Sequence, residues 1–264
     1  MSATATEDSV DVTGLIRPKT LSGANRAIWT KFVSVTGTRP ISRALVAISV
    51  GATLVATMMI IVLHLLPDEG GVNPLHGMLS DYALQPDGWV FRLALVVMGI
   101  GSVPLWAVLV RHHVLRGWLP MVFMAVWCVG LIGIAIFSKD RVETNQTIHG
   151  GVHLWVTVAA CGALPLVGLA LGLRHRKHQS WRRYARSSLC LAVANIPCLL
   201  PFVIAFFLNV ITHSERFSGP ATGLIERIMA MLDIVSLIVL GIWAYAAAHN
   251  RAAVLVAKRQ RKQA

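Results

Sequence analysis

The chain has little charge for its length. Asp, Glu, Lys and Arg make up 14% of its 264 residues, whereas ordinary soluble domains carry about a quarter. Hydrophobic residues make up 55%, and the mean hydropathy is +0.65. This shortage, together with apolar runs of more than about 18 residues, excludes a typical soluble domain and places the chain among integral membrane proteins.

Cysteine and the common catalytic motifs are also scarce. The four cysteines all fall inside apolar runs and none has the CxxC spacing, which excludes a disulfide framework or a zinc knuckle. The sequence also lacks a GxSxG nucleophile elbow, a P-loop and a GxGxxG turn after a strand. Composition and short motifs therefore indicate a membrane protein without assigning it a reaction.

Six apolar runs are long enough to cross a bilayer, which requires about 20 helical residues. Since the hydrocarbon offers no water to the backbone, each run should form a helix that satisfies its own amides and carbonyls. We therefore predict an all-α integral membrane bundle of six transmembrane helices. The runs cover residues 43–66, 89–110, 119–138, 149–173, 187–211 and 223–249.

The basic residues are distributed unevenly between the two sides of this bundle. Most of the 24 lysines and arginines lie before residue 44, in the 111–118 and 174–186 connections, or after residue 250. The positive-inside rule then predicts that both termini are cytoplasmic, and we expect a plasma-membrane location. The net charge of +12 is thus explained by topology and by contact with anionic inner-leaflet lipid, and nucleic acid is not an expected partner.

The predicted domain organisation has three parts. Residues 1–42 form a cytoplasmic tail, partly disordered, in which 24–36 is either a short interfacial helix or a plain tether. Residues 43–249 form the six-helix transmembrane domain. Residues 250–264 form a basic cytoplasmic tail.

Acidic residues concentrate in the predicted outer connections and in the outer half of the last helix. Asp81, Asp140 and Asp233 are the candidate catalytic carboxylates. Asp233 lies about 15 Å from the start of its helix, near the bilayer midplane, where a lone carboxylate costs at least about 2.5 kcal/mol. It must therefore be paired, be protonated or line a wet cavity. Glu226 lies seven residues earlier, on roughly the same helix face.

Three further polar residues are candidates for ligand binding because they lie near the outer ends of helices. They are Arg92 in the second helix and Glu226 and Arg227 in the sixth. Together with Asp233, the last two give the upper part of helix six a polar stripe.

His149 and His153 open the fourth helix and are one turn apart, so they point to the same side. Such a pair can hold zinc if an acid or a third histidine supplies another ligand, and Asp140, Asp81, His76 and Asp233 are the candidates. The histidines can equally form a proton relay or bind a lipid phosphate with Arg92 and Arg227. The simplest alternative is that they reach water, cap the helix or pair with an acid.

Two stretches carry a family resemblance. The segment LHGMLSDYALQPDGWVFRLALVVMGIG (75–101) and the segment FSKDRVETNQTIHGGVHLWV (137–156) resemble motif regions of the DUF998 membrane proteins. Ser80 and Asp81 take the positions of the first motif. The positions of the second motif are taken by Phe137, Asp140, His149 or His153, and Gly150 or Gly151. The usual proline after the phenylalanine is Ser138 here. The resemblance spans about 43–249 and implies a six-helix bundle of unassigned activity.

The sequence is compatible with three functions. The first is a multi-pass membrane protein whose outer Asp/His/Arg cluster binds a small ligand, a lipid head group or a partner. The second is a metal-dependent lipid hydrolase acting at the outer leaflet, with His149, His153 and an aspartate holding zinc. This alternative has a distant analogy in membrane hydrolases such as alkaline ceramidases. The third is a proton-coupled transporter that uses Asp233 and the histidines as a relay.

Overall fold

The computed structural model describes residues 39–65, 72–140, 147–212 and 222–263, and these residues contain helices and no strands. The all-α prediction is therefore confirmed. A short 3-10 helix, Leu79–Leu84, lies in the first connection. The α-helices are α1 (Arg39–Leu65), α2 (Gly88–Arg111), α3 (Trp118–Ile136), α4 (Ile148–His175), α5 (Arg182–Thr212) and α6 (Thr222–Gln263).

Each α-helix contains a stretch long and apolar enough to cross a membrane, as the sequence predicts. α1 begins four residues before its predicted start and α5 begins five residues before. α6 is the longest helix, with 42 residues, and it continues past its apolar stretch, Thr222–His249, into the predicted basic tail. The predicted interfacial helix 24–36 lies outside the described residues.

The helices pack as a ring in chain order, because each contacts the next and α6 returns to α1. α6 also contacts α2 and α4 across the ring. Backbones approach closely where small residues meet: a Cβ at Gly130 of α3 would be 2.7 Å from the Cβ of Ala160 in α4. Small residues at such crossings allow the van der Waals packing that drives helix association in lipid.

The side chains between the helices form one apolar core, in which Trp243 of α6 and Leu105 of α2 are among the largest fully buried residues. Large hydrophobic side chains on the outer faces remain exposed, especially along α1 and α5. A bundle that is apolar both inside and outside is typical of a protein whose solvent is lipid.

Candidate functional site

Most of the candidate residues lie at one end of the bundle, where α1, α3 and α5 end and α2, α4 and α6 begin. We call it the cap end, because the segment 72–87, here named the cap, folds over it. The cap is attached to α6 by hydrogen bonds to its backbone carbonyls: the Leu224 amide donates to the Leu75 carbonyl at 3.2 Å, and the Thr222 hydroxyl donates to the His76 carbonyl, also at 3.2 Å.

Arg227 of α6 is the main side chain that joins α6 to the cap. Its Nη1 donates to the carbonyl oxygens of Gly77 (2.7 Å), Gly223 (2.9 Å) and Pro74 (3.0 Å). Its Nε donates to Nε2 of His64, at the end of α1, over 2.9 Å. One guanidinium therefore connects α1, the cap and α6.

His64 is oriented to receive this bond. Its Nδ1 contacts the Ile60 carbonyl at 2.8 Å, so Nδ1 carries the proton and Nε2 accepts from Arg227. Its ring also packs against Tyr82 of the cap, with centroids 5.0 Å apart. The geometry thus fixes both the tautomer and the direction of the imidazole.

The neighbouring residues of α6 also hold the cap. Glu226 Oε2 accepts a hydrogen bond of 2.5 Å from the Leu79 amide at the start of the 3-10 helix. Gly223 lies so close to the cap backbone that a Cβ there would overlap the carbonyl oxygen of Gly77. The first turns of α6 therefore form a docking surface for the cap, and a glycine is required where the two backbones approach.

Arg227 forms no ion pair within the described part of the chain, although the neighbouring carboxylate of Glu226 interacts with it electrostatically. The hydrogen-bond partners of Arg227 are three carbonyl oxygens and an imidazole nitrogen, and the ion pair found among the described residues joins Lys139 to Asp81 instead. Nη2 of Arg227 is buried and makes no hydrogen bond to any described residue. Arg227 also borders a groove of about 280 Å³ whose other lining residues are all apolar.

Asp81 and Lys139 form the second group of contacts at the cap end. The Lys139 ammonium pairs with Asp81 Oδ1, while Asp81 Oδ2 accepts from the Met78 amide at 2.7 Å. Arg92 of α2 contacts the same two segments. Its Nη2 donates to the Ala83 carbonyl at 3.1 Å and contacts the Ser138 hydroxyl at 3.5 Å. Asp81 and Arg92 therefore both connect the cap with the segment that follows α3.

Asp140 is held at the start of α4. Its Oδ2 accepts from the Thr147 amide (2.8 Å) and its Oδ1 from the Thr147 hydroxyl (2.6 Å). The Thr147 hydroxyl in turn accepts from the Gly150 amide (3.1 Å), as an N-cap residue does. A Cβ at Gly150 would overlap the Asp140 carboxylate, whereas a Cβ at Gly151 would meet nothing within 4 Å.

The two adjacent glycines give a matched test of this arrangement. Gly150→Ala is expected to displace Asp140 and to cost about 1 kcal/mol, the typical value of an N-cap interaction. Gly151→Ala fills open space and is expected to add up to about 0.5–1 kcal/mol through its higher helix propensity. The measurement is the melting temperature of the two purified variants beside the wild type. Equal melting temperatures for the two variants would contradict the role assigned to Asp140.

The two histidines of α4 have different environments despite their helical spacing. His153 is buried, and its Nδ1 contacts the Phe137 carbonyl at 2.8 Å. His149 is exposed, and its ring packs near Phe137 with centroids 5.9 Å apart. The described residues contain no group of three or more His, Cys, Asp and Glu side chains arranged to hold a metal ion. The zinc site stays a prediction.

Asp233 lies away from the cap, in the interior of the bundle. It is 4% exposed, and its Oδ1 accepts a hydrogen bond of 2.8 Å from Nδ2 of Asn195 in α5, which is 1% exposed. A carboxylate at such depth is costly without a partner, and this amide supplies one hydrogen bond to it. Oδ1 of Asn195 is itself buried without a hydrogen bond to the described residues.

Sequence reasoning therefore found the polar residues but missed most of their partners. Arg227 and Glu226 hydrogen-bond to His64 and to the cap backbone, and no hydrogen bond found among the described residues joins them to Asp81, Asp140, His149 or His153. In the sequence, Asn195 is an isolated amide within an apolar run. No local signal distinguishes it as the partner of Asp233, because the two are 38 residues apart.

The fold and the site together define a helical multi-pass membrane protein with a polar, capped end. Comparison with family models identifies the family: residues 42–243 match the model described as a protein of unknown function, DUF998. The chain belongs to this family. Comparison with curated proteins and with solved structures gives no match.

Proposed function

We propose that this protein binds a ligand carrying a phosphate or carboxylate group at Arg227, on the outer face of the plasma membrane. The proposal rests on the hydrogen bonds and ion pairs that this guanidinium makes and lacks. The guanidinium is a cation that forms no ion pair among the described residues, and its buried Nη2 has no hydrogen-bond acceptor there. Arg227 also borders the groove on α6.

An anionic ligand would improve this arrangement energetically. A charge removed from water without a counter-charge is unfavourable, and an unsatisfied buried donor typically costs about 1–3 kcal/mol. Nη2 supplies two N–H donors on a charged group, and each can donate a charge-assisted hydrogen bond to a phosphate or carboxylate oxygen. The cap, held by Nη1 and by Glu226, supports this orientation because it fixes the guanidinium on the other side.

The outer location of the site follows from the distribution of charge. Exposed basic side chains crowd the connection between α4 and α5, at the end opposite the cap, and they include Arg174, Lys177 and Arg183. The positive-inside rule places that end in the cytoplasm, where contact with anionic inner-leaflet lipid is favourable. The cap and Arg227 then face outward.

The test is binding of glycerol phosphate, as a soluble phosphate probe, to the detergent-purified protein. Arg227→Gln is expected to weaken the affinity by about 10- to 100-fold, because a charge-assisted hydrogen bond contributes about 1.5–3 kcal/mol. Calorimetric titration measures this directly. Arg183→Gln is the matched control, since it removes one exposed arginine from the opposite end. Absence of binding to the wild type, or unchanged binding to Arg227→Gln, would refute the proposal.

A further inference from the structure

We infer that the ligand is a membrane lipid with an anionic phosphate head group, whose phosphate binds Arg227 and one of whose acyl chains lies in the groove on α6. The inference rests on the proposed function and specifies its ligand class. It follows from the joint position of a charged residue and an apolar groove on one face of one helix.

The groove begins at Arg227 and runs along α6 away from the cap end. Its lining residues are Arg227, Ile228, Met231, Leu232 and Val235. Their spacing of three to four residues places them on one side of the helix. The groove is therefore lined almost entirely by apolar groups, including the methylene stem of Arg227, whose guanidinium lies at the cap-end limit.

The dimensions and polarity of the groove match one chain of a lipid. Eight residues separate Arg227 from Val235, which corresponds to about 12 Å along the helix axis. The volume of about 280 Å³ suits a segment of acyl chain rather than a whole two-chain lipid. A water-soluble phosphate compound would leave this apolar surface without a partner, whereas a lipid would cover it.

The groove lies on a surface that other helices leave uncovered. Ile228, Met231 and Val235 are all exposed in the structure, with Met231 exposed to 55%. These residues belong to the apolar stretch Thr222–His249, so their surroundings in the membrane are acyl chains. A lipid can therefore enter from the side, within the leaflet that contains the cap end, while its phosphate stays at the level of the first turns of α6.

Charge complementarity favours an anionic head group over a zwitterionic one. Arg227 forms no ion pair among the described residues and Glu226 Oε2 is bonded to the Leu79 amide, so a lipid of net charge −1 supplies a direct counter-charge. The choline of a zwitterionic head group would bring a second cation to the same place. Phosphatidylglycerol is therefore the probe of choice and phosphatidylcholine the comparison.

The experiment measures lipid binding to the full-length protein by native mass spectrometry from neutral detergent. Dioleoyl phosphatidylglycerol is titrated against the wild type, Arg227→Gln and Met231→Trp, which fills the groove. Met58→Trp is the matched control, because Met58 of α1 is exposed to 59% and does not line the groove. We expect the affinity for this lipid to fall at least tenfold in Arg227→Gln and Met231→Trp and to remain unchanged in Met58→Trp. We also expect phosphatidylcholine to bind the wild type at least tenfold more weakly.

The possible contrary results separate the two proposals. If Met231→Trp keeps full lipid affinity while Arg227→Gln loses both the lipid and glycerol phosphate, the acyl chain is not in the groove and only the anion site stands. If Arg227→Gln keeps full lipid affinity but loses glycerol phosphate, the lipid head group is elsewhere and only the lipid inference fails. If it keeps both, both proposals fail. A wild-type dimer that dissociates in Met231→Trp would assign the groove to a second copy of the chain and overturn the lipid inference.

Arg227 also holds the cap, so its loss can affect folding. Arg227→Lys keeps the charge but loses the planar fork that contacts several acceptors at once. If Arg227→Gln does not fold, the lipid affinity of Arg227→Lys is measured instead, and the same tenfold decrease is expected. Met231→Trp changes only a lipid-facing side chain and gives an independent reading in either case.

Discussion

Replacement of Asn195 by leucine is expected to lower the free energy of unfolding by about 1–3 kcal/mol, the usual cost of leaving a buried polar group without its partner. Nδ2 of Asn195 is the hydrogen-bond donor found for the Asp233 carboxylate within the described residues. Both side chains are buried between α5 and α6, out of contact with bulk solvent that could replace the lost donor. For a chain of this size, the melting temperature should fall by several degrees.

The double variant Asn195→Leu/Asp233→Leu is the informative control. It removes both polar groups, so nothing is left unsatisfied, and we expect it to be more stable than Asn195→Leu alone. The four proteins form a double-mutant cycle, measured as melting temperatures in one detergent. If the two single changes simply add in the double variant, Asn195 and Asp233 are not coupled and their contact has no energetic role.

Gly101→Ala is expected to destabilise the bundle by about 1–3 kcal/mol, because it overpacks the crossing of α1 and α2. A Cβ at Gly101 would overlap the Cβ of Ala52 in α1, and a methyl group attached directly to a helix backbone cannot rotate away. The two helices must then separate, and the van der Waals contacts along their crossing weaken. The measurement is again the melting temperature in detergent.

Gly51→Ala is the matched control, since Gly51 is the residue next to Ala52 on α1 and a Cβ there meets nothing within 4 Å. This change should leave stability the same or raise it by up to about 1 kcal/mol through helix propensity. A result in which both alanine variants behave alike would show that the crossing tolerates an added methyl group, contrary to the packing described.

The helices of this protein are almost completely predictable from sequence, whereas the contacts of the site are not. Each apolar run must become a helix in hydrocarbon whatever surrounds it, so length and hydropathy suffice to locate α1 to α6. The partners of Arg227 depend on how the ring closes. His64, Pro74 and Gly77 lie 150 or more residues away along the chain, and no local pattern connects them with α6.

The environments of His149 and His153 are also difficult to predict from sequence, for a different reason. Helical spacing correctly predicts that His149 and His153 point to the same side of α4. It does not predict how far the neighbouring segment extends over that side. The turn after α3 covers His153 through the Phe137 carbonyl and leaves His149 exposed. One helical turn, about 5.4 Å, thus separates a buried side chain from an exposed one.

The closure of the ring by α6 has a consequence for biosynthesis. Translation proceeds from the N-terminus at about 5–20 residues per second, so α6 is made after the other five described helices. Until it is inserted, His64, the Leu79 amide and Asn195 lack the partners that α6 supplies. The first five helices therefore enter the membrane as an open arc with unmatched polar groups. The arrival of residues 222–249 closes the ring, and quality control of the nascent protein should depend strongly on this segment.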